Sequence, residues 1–144
     1  MMRLHIFQPV AVPNSNGNFY IGYGHTRTTK KDQRITEVEA RRLLQEDMAI
    51  YARFVEKIVK VPLSDNQFSS LTAFCAHISA YVFERTDLVR LLNRGWYDQV
   101  PAQLKKWGEK QNGIYKVQRA AESQLWKTPD PPTPQEGDET TVAA

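Results

Sequence analysis

The side chains best suited to proton transfer or metal binding in this sequence are three histidines and one cysteine. They are His5, His25, His77 and Cys75. Zinc sites combine such ligands at characteristic short spacings, which these histidines do not follow. The single cysteine cannot form an internal disulfide, and it falls on the apolar face of a predicted helix. We therefore expect no metal and no other cofactor.

Basic residues dominate the first part of the chain. The net charge of +3 comes from 19 basic and 16 acidic residues. Residues 128–144 contain four acids and no base, so residues 1–127 carry +7, and residues 1–31 contain no Asp or Glu at all. A basic body favours a polyanionic partner such as nucleic acid, an anionic membrane or a bacterial wall, although it also serves ordinary solubility.

The length of 144 residues suits one domain, and the content of 41% hydrophobic and 24% charged residues is typical of soluble globular proteins. No apolar run approaches the roughly eighteen residues that span a bilayer, so we expect no stable membrane insertion. Gln8, Pro9 and Pro13 interrupt any signal-peptide core, which favours the cytoplasm. We predict a monomer with one domain at 1–127 and a disordered tail, rich in Pro, Thr and acids, at 128–144.

Helical periodicity begins after residue 36. The spacing of apolar residues predicts a helix over 37–59, with Thr36 and Glu39 as a capping box at its start. A second helix follows, with Ser64 and Gln67 as its capping box. Shorter helices are predicted up to Asn93, over 97–107 and over 115–126. The side chains expected to face inward from the last two are Leu104, Trp107, Ala121, Leu125 and Trp126. For Trp96 the core is favoured over a sugar-stacking surface, but its place after Gly95 leaves an exposed position open.

The first 26 residues have a different pattern. Residues 14–18, Asn-Ser-Asn-Gly-Asn, are a turn signal, and Phe19 to Tyr23 form a short strand rich in aromatic and β-branched residues. A small β portion therefore precedes a larger helical one. The predicted class is α+β, mainly helical.

Six segments along residues 14–126 form a pattern when they are taken in order. They are 16–26 (NGNFYIGYGHT), 35–44 (ITEVEARRLL), 61–68 (VPLSDNQF), 88–95 (LVRLLNRG), 103–107 (QLKKW) and 119–126 (RAAESQLW). In this order they resemble the phage-type lysozymes, the endolysins that cut bacterial peptidoglycan. The resemblance implies a small N-terminal β lobe and a larger helical lobe, joined by a long helix, with the substrate cleft between them. It also implies a glycoside hydrolase that cleaves the β-1,4 bond between N-acetylmuramic acid and N-acetylglucosamine.

The resemblance also implies where the catalytic residues belong. The family has a Glu at the end of its first helix, an Asp nine residues later and a Thr six residues after that, directly before the Ile-Gly-Tyr-Gly-His segment. Counting back from Ile21 gives Tyr20, Asn14 and His5 at these three positions. All three differ from the family, and glycosidic cleavage generally needs two carboxylates.

Two further departures lie on the facing helix and concern substrate binding. The family usually has Asn or Gln and then Gly on the cleft wall, where this sequence has His77 and Ser79. His25 matches a family position, and we expect it to be structural, hydrogen-bonded between the lobes. Departures therefore concentrate at the cleft while the scaffold segments persist.

We accordingly predict a phage-type lysozyme homologue directed at bacterial peptidoglycan, inactive or severely impaired as a muramidase. His5 could in principle donate a proton, and Tyr20 could act as a nucleophile only with a base beside it. The alternative is a non-catalytic peptidoglycan- or protein-binding scaffold. Nucleic-acid binding rests on charge alone and is not expected, because no recognisable motif accompanies it. As an endolysin, the protein would accumulate in the bacterial cytoplasm and reach the periplasm through a holin-type lesion.

Overall fold

The computed structural model describes residues 6–132 as a two-stranded hairpin followed by six α-helices. The candidate acid position His5 and the tail from residue 133 onward lie outside the described residues. Two short 3-10 turns, Tyr97–Gln99 and Gln111–Gly113, precede the last two helices. The strands and helices are β1 Gln8–Pro13, β2 Phe19–Gly22, α1 Glu37–Ile58, α2 Asp65–Ile78, α3 Ala80–Glu84, α4 Asp87–Asn93, α5 Val100–Glu109 and α6 Lys116–Lys127.

The hairpin confirms the predicted turn and strand. β1 and β2 run antiparallel, and Val12 lies opposite Tyr20. β2 ends one residue earlier than predicted, at Gly22, which has a φ of +65°. A Cβ at this position would lie 2.9 Å from the Cβ of Ala40 on α1. Glycine is therefore required both by the backbone conformation and by the close packing of the hairpin on the long helix.

Local capping signals set the starts of the two longest helices. The hydroxyl of Thr36 accepts a hydrogen bond from the backbone N–H of Glu39 at 3.2 Å, as the sequence predicts. Ser64 and Gln67 form the complete reciprocal capping box at the start of α2. α1 ends at Ile58, one residue before the predicted end. The predicted α+β, mainly helical class is confirmed.

One hydrophobic core lies among the helices. It is formed by α1, α2 and the helices that follow, with Leu71, Phe74, Phe83 and Leu104 fully buried. Within the described residues, no helix is both long and apolar enough to cross a bilayer.

The predicted core position of Ala121 is wrong, and of the two positions left open for Trp96 the structure shows the exposed one. Trp96 is 51% exposed, because it follows the positive-φ Gly95 in the loop after α4. Ala121 is exposed because Arg119, Glu122 and Trp126 occupy the buried face of α6.

The beginning of the acidic tail contacts the start of α2. Both carboxylate oxygens of Asp130 accept hydrogen bonds at 2.8 Å, from the backbone N–H groups of Asp65 and Asn66. The side-chain amide of Asn66 donates to the carbonyl oxygens of Thr128 and Pro129. The acid thus satisfies two N–H groups that a helix start leaves without intrahelical partners. The domain boundary after residue 127 stays a prediction.

Candidate active site

Asn14 closes the turn of the β hairpin. Its side-chain Oδ1 accepts hydrogen bonds from the backbone N–H groups of Asn16 and Asn18, both at 3.0 Å. Its backbone N–H donates to the carbonyl of Asn18 at 2.7 Å. The amide oxygen, which is the only side-chain acceptor of an asparagine, is therefore occupied by the turn itself.

A polar groove of about 600 Å³ surrounds this turn. Its walls carry amide, hydroxyl and guanidinium groups, which can hydrogen-bond to hydroxyl and acetamido groups of a sugar. Phe19 adds an aromatic surface. The polar side chains lining the groove are Asn14, Asn16, Asn18, Thr26, Arg27 and Thr29.

Tyr20, the second candidate position in the hairpin, lies on β2 and is half-buried. Directly after it, Ile21 is fully buried and pairs with His25 through two backbone hydrogen bonds of 3.0 and 2.9 Å. The hairpin thus fixes Asn14, Tyr20 and His25 in one short segment of chain.

His25 joins the β portion to α1, as expected for a structural residue. The side chain is 2% exposed, and its Nδ1 lies 2.8 Å from Oδ2 of Asp47. Its Nε2 lies 2.6 Å from the hydroxyl of Thr28 and also accepts the backbone N–H of Thr28 at 3.3 Å. Since a backbone N–H can only donate, Nε2 is the acceptor and Nδ1 carries the proton that is donated to Asp47.

The cleft-wall candidate His77 contacts a buried ion pair on α6. Nη1 of Arg119 donates to Nδ1 of His77 at 2.9 Å, and Nη2 donates to Oε2 of Glu122 at 2.6 Å. Nε of Arg119 lies 2.6 Å from Oε1 of Glu122 as an ion-pair contact without hydrogen-bond geometry. The ring of Tyr115 packs edge-on against His77, with centroids 4.4 Å apart.

Burial shifts the pKa values of this cluster in opposite directions. Burial, helped by the charge of Arg119, lowers the pKa of His77 to about 4. Burial raises the pKa of Glu122 to about 7, although Arg119 opposes this change. His77 is therefore neutral and accepts its bond from Arg119, and it cannot act as a proton donor near neutral pH.

Ser79, the second cleft-wall candidate, is the single residue between α2 and α3. It ends α2 and begins α3 with a φ of +84° and a ψ of 154°, a region that is essentially restricted to glycine. Its hydroxyl accepts the N–H of Val82 at 3.3 Å. The glycine that the resemblance implies at this position would fit this backbone without strain.

The structure brings Asn14 and Tyr20 together on the hairpin, and His77 and Ser79 together at the end of α2. Among the described residues, the two buried carboxylates, Asp47 and Glu122, both face partners: Asp47 contacts His25, and Glu122 contacts Arg119. In the part of the chain that the structure describes, no three His, Cys, Asp or Glu side chains are grouped to hold a metal.

Three residues of these networks were not identified from the sequence as site residues. Asp47 lies between Leu44 and Tyr51 on the apolar stripe of α1, and a charged residue on such a stripe indicates a buried partner. Arg119 and Glu122 are three residues apart, on the same face as Trp126, which gives a similar signal.

Comparisons with known proteins agree on one family. The model of the phage lysozyme family matches residues 4–122. The endolysin of Acyrthosiphon pisum secondary endosymbiont phage 1 is 33% identical over 98 residues, which are 67% of each chain. The endolysin of Bacillus phage PZA is 30% identical over 117 residues, or 79% of this chain. The chain spans 45% of the length of that second relative.

Solved structures resemble the whole architecture. The muramidase domain of SpmX from Asticaccaulis excentricus has a TM-score of 0.80 and 29% identity, and the match covers 88% of this chain and 90% of that domain. The lysozyme of P22 has a TM-score of 0.73 and 25% identity, over 85% and 88% of the two chains. The predicted lysozyme-like fold is therefore confirmed.

Proposed function

The chain belongs to the phage lysozyme family, and we propose that it is directed at bacterial peptidoglycan but has lost most or all of the family's muramidase activity. The observation that carries this proposal is the hydrogen bonding of the Asn14 side chain. Its amide oxygen is not ionisable and already accepts two backbone N–H groups. Both lone pairs of this oxygen are therefore used by the turn. The oxygen also lacks the negative charge with which a carboxylate would activate water or stabilise a developing oxocarbenium ion.

The two buried carboxylates of the described residues do not replace the missing ones, because Asp47 is paired with His25 and Glu122 with Arg119. Positioned acid–base catalysis contributes about 10²–10⁴-fold, so the loss of both carboxylates removes most of the rate. Substrate binding need not be lost with it, because the groove at the turn keeps its amide, hydroxyl and guanidinium groups.

The test is clearing of chloroform-treated Gram-negative cells by the purified protein between pH 5 and 8. The natural chain is compared with a variant that carries His5→Glu, Asn14→Asp and Tyr20→Thr together. We expect clearing by the triple variant only. Asn14→Asp alone is the matched control, because it keeps the turn hydrogen bonds and adds one carboxylate without the general acid.

Clearing by the natural chain, with a rate that falls around the pKa of an imidazole, would mean that His5 has replaced the acid, and the proposal would be wrong. A folded triple variant that clears nothing would show that the assigned positions are wrong or that the cleft has changed further. Retention on purified peptidoglycan at low salt tests the binding half of the proposal separately. If the natural chain is not retained on peptidoglycan, the remaining hypothesis is a protein-binding scaffold.

A monomeric state and cytoplasmic accumulation until a holin-type lesion opens the membrane stay predictions. Sedimentation of the purified protein tests the first. Fractionation of expressing cells, with and without a holin, tests the second.

A further inference from the structure

A second groove lies on the helical part of the protein, between α5 and α6. It has a volume of about 580 Å³. Its lining includes two small exposed side chains, Ala102 on α5 and Ala120 on α6. Because these side chains are small, an extended peptide backbone could approach both helices closely.

Three lysines line this groove: Lys105 on α5 and Lys116 and Lys127 on α6. Within residues 6–132 none of the three forms an ion pair. Arg119 also reaches the groove, but its charge is committed to Glu122. The groove contains one acid, Glu109, so its exposed side chains carry a net positive charge. It therefore favours an anionic occupant.

We propose that this groove binds the chain's own acidic C-terminal segment, residues 133–144. This segment contains Glu136, Asp138 and Glu139 and no basic residue. Three carboxylates within four residues complement the three lysines, and the segment is covalently attached at the end of α6. The effective concentration of a tethered ligand is in the millimolar range for a short linker, so individually weak ion pairs suffice.

The length of the segment can be compared with the length of the groove. The chain leaves α6 at Lys127 and is held by Asp130 at the start of α2. Residues 133–139 can span about 23 Å when extended. Lys116 and Lys127 are eleven residues apart on α6, which corresponds to about 16 Å along the helix axis. The acidic segment is therefore long enough to extend along most of the groove.

A nitroxide label at a Thr140→Cys substitution in the full chain tests this proposal. The natural Cys75 does not interfere, because it is buried and burial raises the pKa of its thiol to about 12. We expect the amide NMR signals of α5 and α6 beside the groove to lose intensity through paramagnetic broadening at low salt. The loss should disappear at high salt, which screens exposed ion pairs.

Two charge variants of the labelled chain complete the design. Neutralising the groove with Lys105→Gln, Lys116→Gln and Lys127→Gln, or the tail with Glu136→Gln, Asp138→Asn and Glu139→Gln, should abolish the broadening. The matched control is Lys30→Gln with Lys31→Gln, which removes two exposed lysines outside the groove and should leave the broadening unchanged.

Three outcomes would overturn the proposal. These are no broadening of α5 and α6 in the natural chain at low salt, broadening confined to another surface, or broadening that persists in both charge variants. If the tail causes no broadening but added poly-glutamate shifts the groove amides, the groove binds an external acidic polymer instead. None of these readouts depends on peptidoglycan, so they are independent of the proposed function.

Discussion

Replacing His77 by glutamine is expected to make the protein resist acid better. His77 accepts a hydrogen bond from Arg119 and packs against Tyr115, and burial together with the guanidinium charge lowers its pKa to about 4. Glutamine can accept the same hydrogen bond through its carbonyl oxygen but has no proton to bind in this pH range. The substitution therefore removes one titration and keeps the contact.

The sign and size of the effect follow from linkage. The native state holds His77 neutral, whereas the unfolded chain protonates it near pH 6.5, so stability present above pH 6.5 is lost as the pH falls toward 4. A shift of this size corresponds to at most about 3.4 kcal/mol, at about 1.36 kcal/mol per unit. His77 is only half-buried, so solvent screening reduces the expected effect to about 1.5–2 kcal/mol.

The measurement is urea unfolding of both proteins at pH 7.5 and pH 4, followed by tryptophan fluorescence. We expect the stability of the His77→Gln variant relative to the natural chain to improve by about 1.5–2 kcal/mol between the two pH values. Glu122 titrates in the opposite sense: its raised pKa makes stability fall as the pH rises from about 4.5 to about 7. This contribution is present in both proteins and cancels in the difference.

The reasoning would be refuted if the free energy of unfolding fell equally in the two proteins between pH 7.5 and pH 4. His77 would then bind its proton equally well in the folded and the unfolded state. The ring-proton NMR signals of His77 give a direct check on the folded protein. They should not titrate between pH 5 and 8. A midpoint near 6.5 would show that neither burial nor Arg119 affects the imidazole as the geometry requires.

Three further substitutions test the backbone and the hairpin by thermal or urea unfolding. Ser79→Gly should stabilise the protein by about 1 kcal/mol, because it relieves the strain of a positive φ and weakens the helix cap only slightly; a destabilised variant would contradict this account. Asp47→Ala should cost about 1–3 kcal/mol, because it leaves the buried Nδ1–H of His25 without an acceptor, whereas its exposed neighbour Glu46→Ala should cost less than about 0.5 kcal/mol. Asn14→Ala should cost about 1–2 kcal/mol for the two lost turn hydrogen bonds, whereas Asn14→Asp, which keeps both acceptors, should lie within about 0.5 kcal/mol of the natural chain.

The elements that could be predicted from the sequence are those whose signals are local. The Ser64–Gln67 capping box and the apolar stripe of the long helix require only neighbouring residues, and both are found as predicted. α3 is five residues long and follows the unusual φ of Ser79, for which the serine gives no warning. β1 depends on pairing with β2 and on the bridge between Val10 and Arg34, so its own residues do not specify it.

The candidate site divides in the same way. The turn at Asn14 is apparent from the sequence, because Asn and Gly at short spacing form turns almost regardless of context. The role of its amide oxygen is not apparent from the sequence, because a hydrogen bond within the turn and a contact with a catalytic water would use the same atom. The Arg119–Glu122 pair shares a helix face with Trp126, but only the packing of α6 against α2 brings the pair to His77.

These different requirements explain how a lysozyme fold could persist if the proposed loss of its reaction has occurred. The fold rests on a core of fully buried side chains such as Leu71, Phe74 and Leu104, and this core includes neither Asn14 nor Tyr20. At position 14 an asparagine even satisfies the turn as well as a carboxylate would, because both supply an oxygen to the N–H groups of Asn16 and Asn18. Substitutions at these two positions therefore cost the fold little. Under the proposed function their cost to the reaction is large, because an oxygen that serves only as a hydrogen-bond acceptor cannot replace an ionised one at a developing positive charge.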